Sequence, residues 1–335
     1  FVIGLLPTFE AVGILAPILL LCLRMVQSFS ASGEYAGAAT FLAEYAPSNH
    51  RGLYCSLVPA STATGLLIGS ALATFMFMTW GHDSSFVTEW GWRIPFLLAG
   101  PLGFIAHYIR TKLEDSPAFV KMEEGNKEAE HPTHLVFKKY RKRLLSSIAA
   151  TMVNAVGFYL VLTYLPTYLT SYTSMEASQA QLATDIALIA YLLIIFGSGT
   201  LSDKVGRRRM LLTACVAFIV LSIPCFLMLG TASLPIVIVA ELIMCVTLSL
   251  NDANIACYQA EMFPTEVRYT GAALGSNIAY VVFGGTASFV ATALIDATGN
   301  GLMPAFYMMA ISAVAGVILL FTAHDYNGIP LDEIR

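Results

Sequence analysis

Charge is what this chain has least of. Asp, Glu, Lys and Arg make up 12% of its 335 residues, where a soluble domain carries roughly a quarter. That shortage excludes an ordinary water-soluble globular fold. Cysteine is present six times (Cys22, Cys55, Cys215, Cys225, Cys245, Cys257), but no CxxC pair occurs and all six fall in apolar stretches. They are read as small packing residues rather than as metal ligands or a disulfide framework. His131 and His134 lack a Cys or carboxylate partner at ligand spacing, so no metal site is expected. No nucleophile–base constellation is present either. The expectation is a chain that is not an enzyme and needs no cofactor. An initiator Met and a signal-peptide pattern are also missing: the chain opens Phe1-Val-Ile-Gly-Leu-Leu-Pro7.

What is abundant is apolar length. Hydrophobic residues are 57% of the chain and mean hydropathy is +0.70. Runs of about 20 residues, the length that crosses a bilayer, fall at 17–47, 53–80, 92–111, 144–171, 181–201, 210–230, 235–262, 271–295 and 302–323. Those at 53–80, 144–171, 210–230, 271–295 and 302–323 contain no Asp, Glu, Lys or Arg. The pattern predicts an all-α, polytopic membrane helical bundle.

One motif occurs twice. Glu44-Tyr-Ala-Pro47-Ser-Asn-His-Arg51-Gly52 returns as Glu261-Met-Phe-Pro264-Thr-Glu-Val-Arg268, with Gly271 beyond, at an offset of 217 residues. That offset is too long for a solenoid repeat. It predicts two large homologous halves, the architecture of a secondary transporter. Arg51, the bases from Arg110 to Arg143, the Lys204–Arg209 cluster, Arg268 and Arg335 account for 16 of the 18 Lys and Arg residues and share one side. By the positive-inside rule that side is cytoplasmic. Arg93, beside Trp90 and Trp92, marks an interface belt on the other.

The repeat also predicts that helices precede Phe1. The loop Gly199-Thr-Leu-Ser-Asp203-Lys-Val-Gly206-Arg207-Arg208-Arg209 has its counterpart, one offset earlier, ahead of the first residue. The expected organisation is therefore a partial N-terminal half at 1–112, lacking roughly two and a half of six helices. A polar linker follows at 113–143, then a C-terminal half at 144–324 and a cytoplasmic tail at 325–335.

The stretch Arg24-Met-Val-Gln27-Ser-Phe-Ser-Ala-Ser-Gly33-Glu34-Tyr35-Ala-Gly37, continuing to Glu44 and Arg51-Gly52, resembles the fourth helix of the major facilitator superfamily, more narrowly its metabolite:proton symporters. Trp90-Gly-Trp92-Arg93-Ile-Pro95-Phe96, Glu114-Asp-Ser116-Pro117-Ala-Phe119 and the loop at 199–209 are similar to family motifs. Ser28 and Ser32 depart from the Gly that relatives more often carry. The resemblance implies proton-coupled symport by alternating access in a bacterial inner membrane. The expected cargo is a small zwitterionic osmolyte of the proline/betaine kind. A carboxylate metabolite such as 2-oxoglutarate, citrate or shikimate is the alternative, and a nontransporting sensor or remnant the second. The expected partners are thus a small-molecule substrate, protons and the lipid bilayer, with no nucleic acid; the oligomeric state is open and a monomer suffices.

Two groups of residues are expected to carry the function. Glu44, Arg51, Asp203, Arg207, Arg208, Glu261 and Arg268 lie at the cytoplasmic ends of their segments, where carboxylates and guanidinium groups can pair in bidentate fashion. The resemblance implies that these pairs latch that side in the outward-open state. Within the membrane, charge is functional by default. Arg24 shares a helix face with Gln27 and Tyr35. By the resemblance, it pairs with a carboxylate on the first helix to couple protons. Glu34 is the alternative proton site, and Asp252 with Glu241 lines a polar face of a later helix. Asn154, Phe158, Tyr159, Tyr164 and Tyr168 enrich the helix opening the second half, where aromatic faces can hold a quaternary ammonium.

Overall fold

The computed structural model describes residues 1–81, 84–112, 131–331 and 333–334, with the side chains of 28–33 and 77 outside the description. Residues 113–130 of the expected linker, with the motif at 114–119, therefore fall outside it, as do the side chains of Ser28 and Ser32. Ten helices organise the described residues. These are α1 (Leu15–Tyr45), α2 (Arg51–Trp80), α3 (Arg93–Arg110), α4 (Pro132–Lys139), α5 (Arg141–Tyr172), α6 (Ala177–Val205), α7 (Arg207–Leu229), α8 (Leu234–Met262), α9 (Thr265–Thr298) and α10 (Met303–Thr322). No strand occurs among the described residues. Pro235 and Pro304 open α8 and α10 from first-turn positions, where the missing N–H is no loss.

Seven of these helices, α2 and α5 to α10, are long and apolar enough to cross a membrane. Two expected spans differ. In α1 the apolar stretch Leu15–Gln27 runs up to residues 28–33, whose side chains lie outside the description, within a helix that continues to Tyr45. The 18-residue α3 has an Arg at each end and His107 in its last turn, which dilutes its apolar character.

The described residues divide into two compact units. The first takes Phe1–Glu34 and the described residues from Thr64 to Lys112. Here Arg93 ties a short helical turn at Val2–Leu5, donating from Nη1 to the carbonyls of Gly4 (2.9 Å) and Leu6 (2.5 Å). Its guanidinium stacks over Trp92 at 4.4 Å and Trp90 at 5.9 Å, so this residue anchors neighbouring chain as well as packing on both indoles.

The second unit takes Tyr35–Ala63 and the described residues from His131 onward. Its centre is α8, which packs against α5, α6 and α7 and is buried without interruption from Asn251 to Met262. Large apolar side chains point outward instead, among them Leu193, Val216, Val281, Phe289 and Phe321. Such a surface suits hydrocarbon rather than water. Two helices widen locally into π turns, α5 at Phe158–Tyr164 and α9 at Tyr280–Gly284. Turns of this type recur at functional sites. Gly284 lets them meet: a Cβ there would stand 2.9 Å from the Tyr159 ring.

Candidate functional site

The charged residues of the repeated motif come together at one end of the second unit, and they pair across the repeat. Glu44 of the first copy accepts from Arg268 Nη1 of the second at 2.6 Å. Glu261 of the second accepts from Arg51 Nη1 of the first at 2.8 Å. Each carboxylate thus holds the other copy's arginine. Glu261 is also gripped by Arg207, whose Nε and Nη2 reach its two oxygens at 3.3 Å each. Arg207 Nη2 donates to Asp203 at 2.7 Å, and its Nη1 to Ser202 Oγ. The side chains of Arg207 and Glu261 are fully buried, so the pairing offsets a desolvation cost that either charge alone would bear.

Asp203 does a second job. Its Oδ1 and Oδ2 accept the N–H groups of Gly52 (2.8 Å) and Leu53 (3.1 Å), capping the N-terminus of α2 from a different helix. A carboxylate there meets both unpaired donors and the positive end of the helix dipole. The approach is tight because two glycines face each other. A Cβ on Gly52 would lie 2.5 Å from both the Gly199 carbonyl and Ser202 Oγ. At the α6–α7 junction Gly206 adopts φ +97°, and a Cβ would collide with Asp325.

The segment after α10 closes over this layer. Arg268 Nη2 donates to the Leu331 carbonyl at 2.8 Å, Arg51 reaches the Ile329 carbonyl at 3.4 Å, and Asn327 Nδ2 donates to the Asp203 carbonyl at 2.8 Å. Leu331 and Ile334 pack into an apolar cluster with Ala39, Ala43, Cys55, Val58, Ala256, Cys257 and Ala260. Arg208 stands apart from the expected latch, donating instead to the Leu320 carbonyl at 2.9 Å.

A second polar group lies deeper in the same unit. Asp252 on α8 sits nine residues before Glu261, roughly 13 Å along the helix. It accepts a short hydrogen bond from the Tyr191 hydroxyl of α6. Asn154 of α5 faces the same carboxylate and accepts from Tyr280 Oη of α9 at 2.5 Å. Tyr35 of α1 meets the Tyr280 ring edge-on, with centroids 6.4 Å apart. Four helices beside α8 thus converge on one buried carboxylate. Tyr35 Oη and Asn154 Nδ2 are buried there without a hydrogen-bond partner.

Other expected residues fall elsewhere. In the first unit Arg24 is exposed, bonded to Gln27 at 3.3 Å and 5.9 Å above the Phe96 ring, while Glu34 is exposed. The aromatic set of α5 splits in two. Tyr164 bonds Thr292 at 2.9 Å and Tyr168 donates to the Gly301 carbonyl at 3.0 Å, which makes both packing residues near one end of the helix. Phe158 and Tyr159 sit edge to face at 5.9 Å, half-buried, in the π turn. Tyr191, Tyr280 and Ser202 were not legible as site residues. Each is a single polar side chain in an apolar run, and only the fold supplies its partner.

Comparison with known proteins agrees with this architecture. Residues 1–173 match the Major Facilitator Superfamily and residues 120–335 the family described as Sugar (and other) transporter. The chain is 36% identical over 340 residues to the proline/betaine transporter of Escherichia coli, covering 99% of this chain and 67% of that protein. It is 35% identical over 331 residues to the ectoine/proline transporter of Corynebacterium glutamicum, covering 95% and 66%. The glycine betaine/proline/ectoine/pipecolic acid transporter of Dickeya dadantii is 33% identical over 341 residues, covering 98% and 66%. The chain thus spans about two thirds of the length of these relatives. In fold it is similar to a proton:xylose symporter, with TM-score 0.73 over 89% of this chain and 69% of that one at 15% identity. The chain belongs to the major facilitator superfamily, a family of multi-pass membrane transporters rather than enzymes.

Proposed function

We propose that this chain carries a small zwitterionic osmolyte of the proline/betaine kind by proton-coupled alternating access, with its charged end cytoplasmic in a bacterial inner membrane. The observation that carries the reading is the exchange of partners between the two motif copies, Glu44 with Arg268 and Glu261 with Arg51. Ties between the two repeats hold one end shut, and a transporter must break them to open there. The identity to relatives named for proline, betaine and ectoine supports the substrate class.

In this reading Asp252 is the proton-binding carboxylate. Protonation turns one of its oxygens from acceptor to donor and so loosens the bond from Tyr191. Tyr35, Asn154 and Tyr280 form the polar and aromatic wall, whose ring faces suit a quaternary or secondary ammonium. Phe158 and Tyr159 line the π turn beside it. Arg24, with Gln27 and Glu34, is assigned to the substrate carboxylate or to proton coupling within its own unit. The second reading, a carboxylate metabolite, is favoured by the exposed guanidinium of Arg24.

The test is uptake by the purified protein in proteoliposomes under an inward proton gradient. Labelled betaine, proline and 2-oxoglutarate are compared, each with and without a protonophore. Saturable, protonophore-sensitive accumulation of betaine or proline is expected. Accumulation of 2-oxoglutarate alone selects the second reading, and gradient-independent flux removes the proton.

A further inference from the structure

Where α4 gives way to α5, all residues from Lys138 to Arg143 except Tyr140 are bases, and neither helix contains Asp or Glu. The protein itself uses two of them. Arg143 Nη1 donates to the Met262 carbonyl at 2.7 Å, and its guanidinium lies 5.2 Å from the Tyr140 ring and 5.6 Å from that of Tyr326. Because Met262 follows Glu261, this bond places the junction beside the charged layer. Lys139 Nζ stands 5.1 Å from the Tyr140 ring, and Glu266 accepts from Tyr140 Oη at 3.4 Å. Arg141 and Lys142 are exposed, and among the described residues their side chains make no hydrogen bond, ion pair or ring contact.

These two bases head a groove of about 380 Å³, lined further by Leu144, Leu145 and Ile148. Ligand clefts commonly span about 300–1,000 Å³. Arg141, Leu144, Leu145 and Ile148 are spaced i, i+3, i+4 and i+7, so they share one helix face. The groove therefore carries charge at one end and hydrocarbon along its length. Leu144 is buried as its floor, Ile148 is half-buried, and Leu145 is 45% exposed. With no acid in the first turn of α5, the positive end of the helix dipole adds to the bases instead of being offset.

Depth narrows the occupant. α5 is 32 residues long, about 48 Å at helical rise, and the hydrocarbon core of a bilayer is about 30 Å thick. A centred span leaves about six residues outside that core at each end. Arg141 and Lys142 then stand among lipid headgroups, and Ile148 at the edge of the hydrocarbon. An occupant must be anionic at one end and apolar at the other. A free phosphate meets only the first condition.

We propose that this groove binds an anionic phospholipid of the leaflet at the charged end. Its phosphate sits between Arg141 and Lys142, where charge-assisted hydrogen bonds hold it, and one acyl chain lies over Leu144, Leu145 and Ile148. The site goes beyond the transport reading and does not depend on it.

The experiment is native mass spectrometry of the purified chain in a neutral detergent, titrated with phosphatidylglycerol or with phosphatidylcholine of the same acyl chains. Preferential retention of phosphatidylglycerol is expected. Arg141→Gln with Lys142→Gln weakens it roughly thirtyfold, two bases at roughly fivefold each. Leu145→Gln weakens it while both bases remain. Lys204→Gln with Arg209→Gln, which removes two exposed bases from another junction, leaves it near wild type. All these positions are exposed, so folding is not at stake. Equal retention of phosphatidylcholine, or equal weakening in the two double variants, overturns the site. Displacement by glycerol 3-phosphate at matched concentration overturns the lipid in favour of a free phosphate ester. Binding that appears only when Glu123, Glu124, Glu128 and Glu130 are all changed to Gln overturns it in favour of the chain's own acidic run.

Discussion

The charged end of the second unit and the polar centre 13 Å deeper are built from similar residue types to opposite effect. At the charged end nearly every donor is matched. Arg207 meets two carboxylates and a hydroxyl, Arg268 meets Glu44 and three carbonyls, and Asp203 caps a helix. The Nε atoms of Arg51 and of neighbouring Arg208 are the exceptions at this end. At the centre, Tyr35 Oη, Asn154 Nδ2, Asn251 Oδ1 and Asn254 Oδ1 are buried without a partner. A layer that is satisfied holds one arrangement, and a layer with spare hydrogen-bonding capacity is suited to receiving something. On the proposed reading, stability and binding stand at different depths of the same helix.

The strongest way to break the comparison is Glu261→Gln. It leaves Arg51 and Arg207 buried around a neutral amide, and removing one member of a buried pair costs about 3–5 kcal/mol. A fall in Tm and increased labelling of cysteines introduced at the charged end are expected. An unchanged labelling pattern would mean that the pairs are ornamental to the closed end. Glu44→Gln is expected to follow at smaller amplitude, because Arg268 keeps its carbonyl partners at Ala260, Phe263 and Leu331.

Next in size is Gly52→Ala. The new Cβ meets the Gly199 carbonyl and Ser202 Oγ at 2.5 Å and Arg207 Nη1 at 2.6 Å, so the helices must part. Overpacking of this kind costs about 1–3 kcal/mol. The same loss of Tm in Gly199→Ala, whose Cβ would lie 2.6 Å from the Gly52 carbonyl, would confirm that one contact is responsible. Wild-type melting in both variants would show that the two helices do not depend on this approach.

These two layers were unequally legible in the sequence. The charged end was announced by a repeat, because Glu44, Arg51, Glu261 and Arg268 sit at fixed spacing around a Pro, and the loop at 199–209 carried its own motif. What the spacing did not tell is that the copies exchange partners, since a linear pattern holds no information on which arginine faces which acid. Arg208 illustrates the limit: one residue from Arg207, it is turned by about 100° around the helix and reaches Leu320 instead. The helices themselves were readable from apolar length, to within a few residues at most ends. The centre was readable only from its carboxylate, Asp252, and from Asn154 and Tyr35. Tyr191 and Tyr280 lie in runs where an aromatic residue is ordinarily packing, and the π turn that begins at Tyr280 has no period to detect.

The finest distinction is between those two tyrosines. Tyr191→Phe removes the hydroxyl that Asp252 accepts, and Tyr280→Phe removes the one that Asn154 accepts. Each loses one hydrogen bond, worth about 1 kcal/mol in stability, so their melting temperatures should move little and alike. Their transport should not move alike. If Asp252 takes the proton, Tyr191→Phe changes the pH dependence of uptake and leaves substrate affinity near wild type. If Tyr280 and Asn154 touch the substrate, Tyr280→Phe raises KM and leaves the pH dependence alone. Uptake measured against substrate concentration at several external pH values reads both quantities in one series. Identical profiles for the two variants would mean that proton and substrate share one polar network, and that the separation drawn here between carboxylate and wall does not exist.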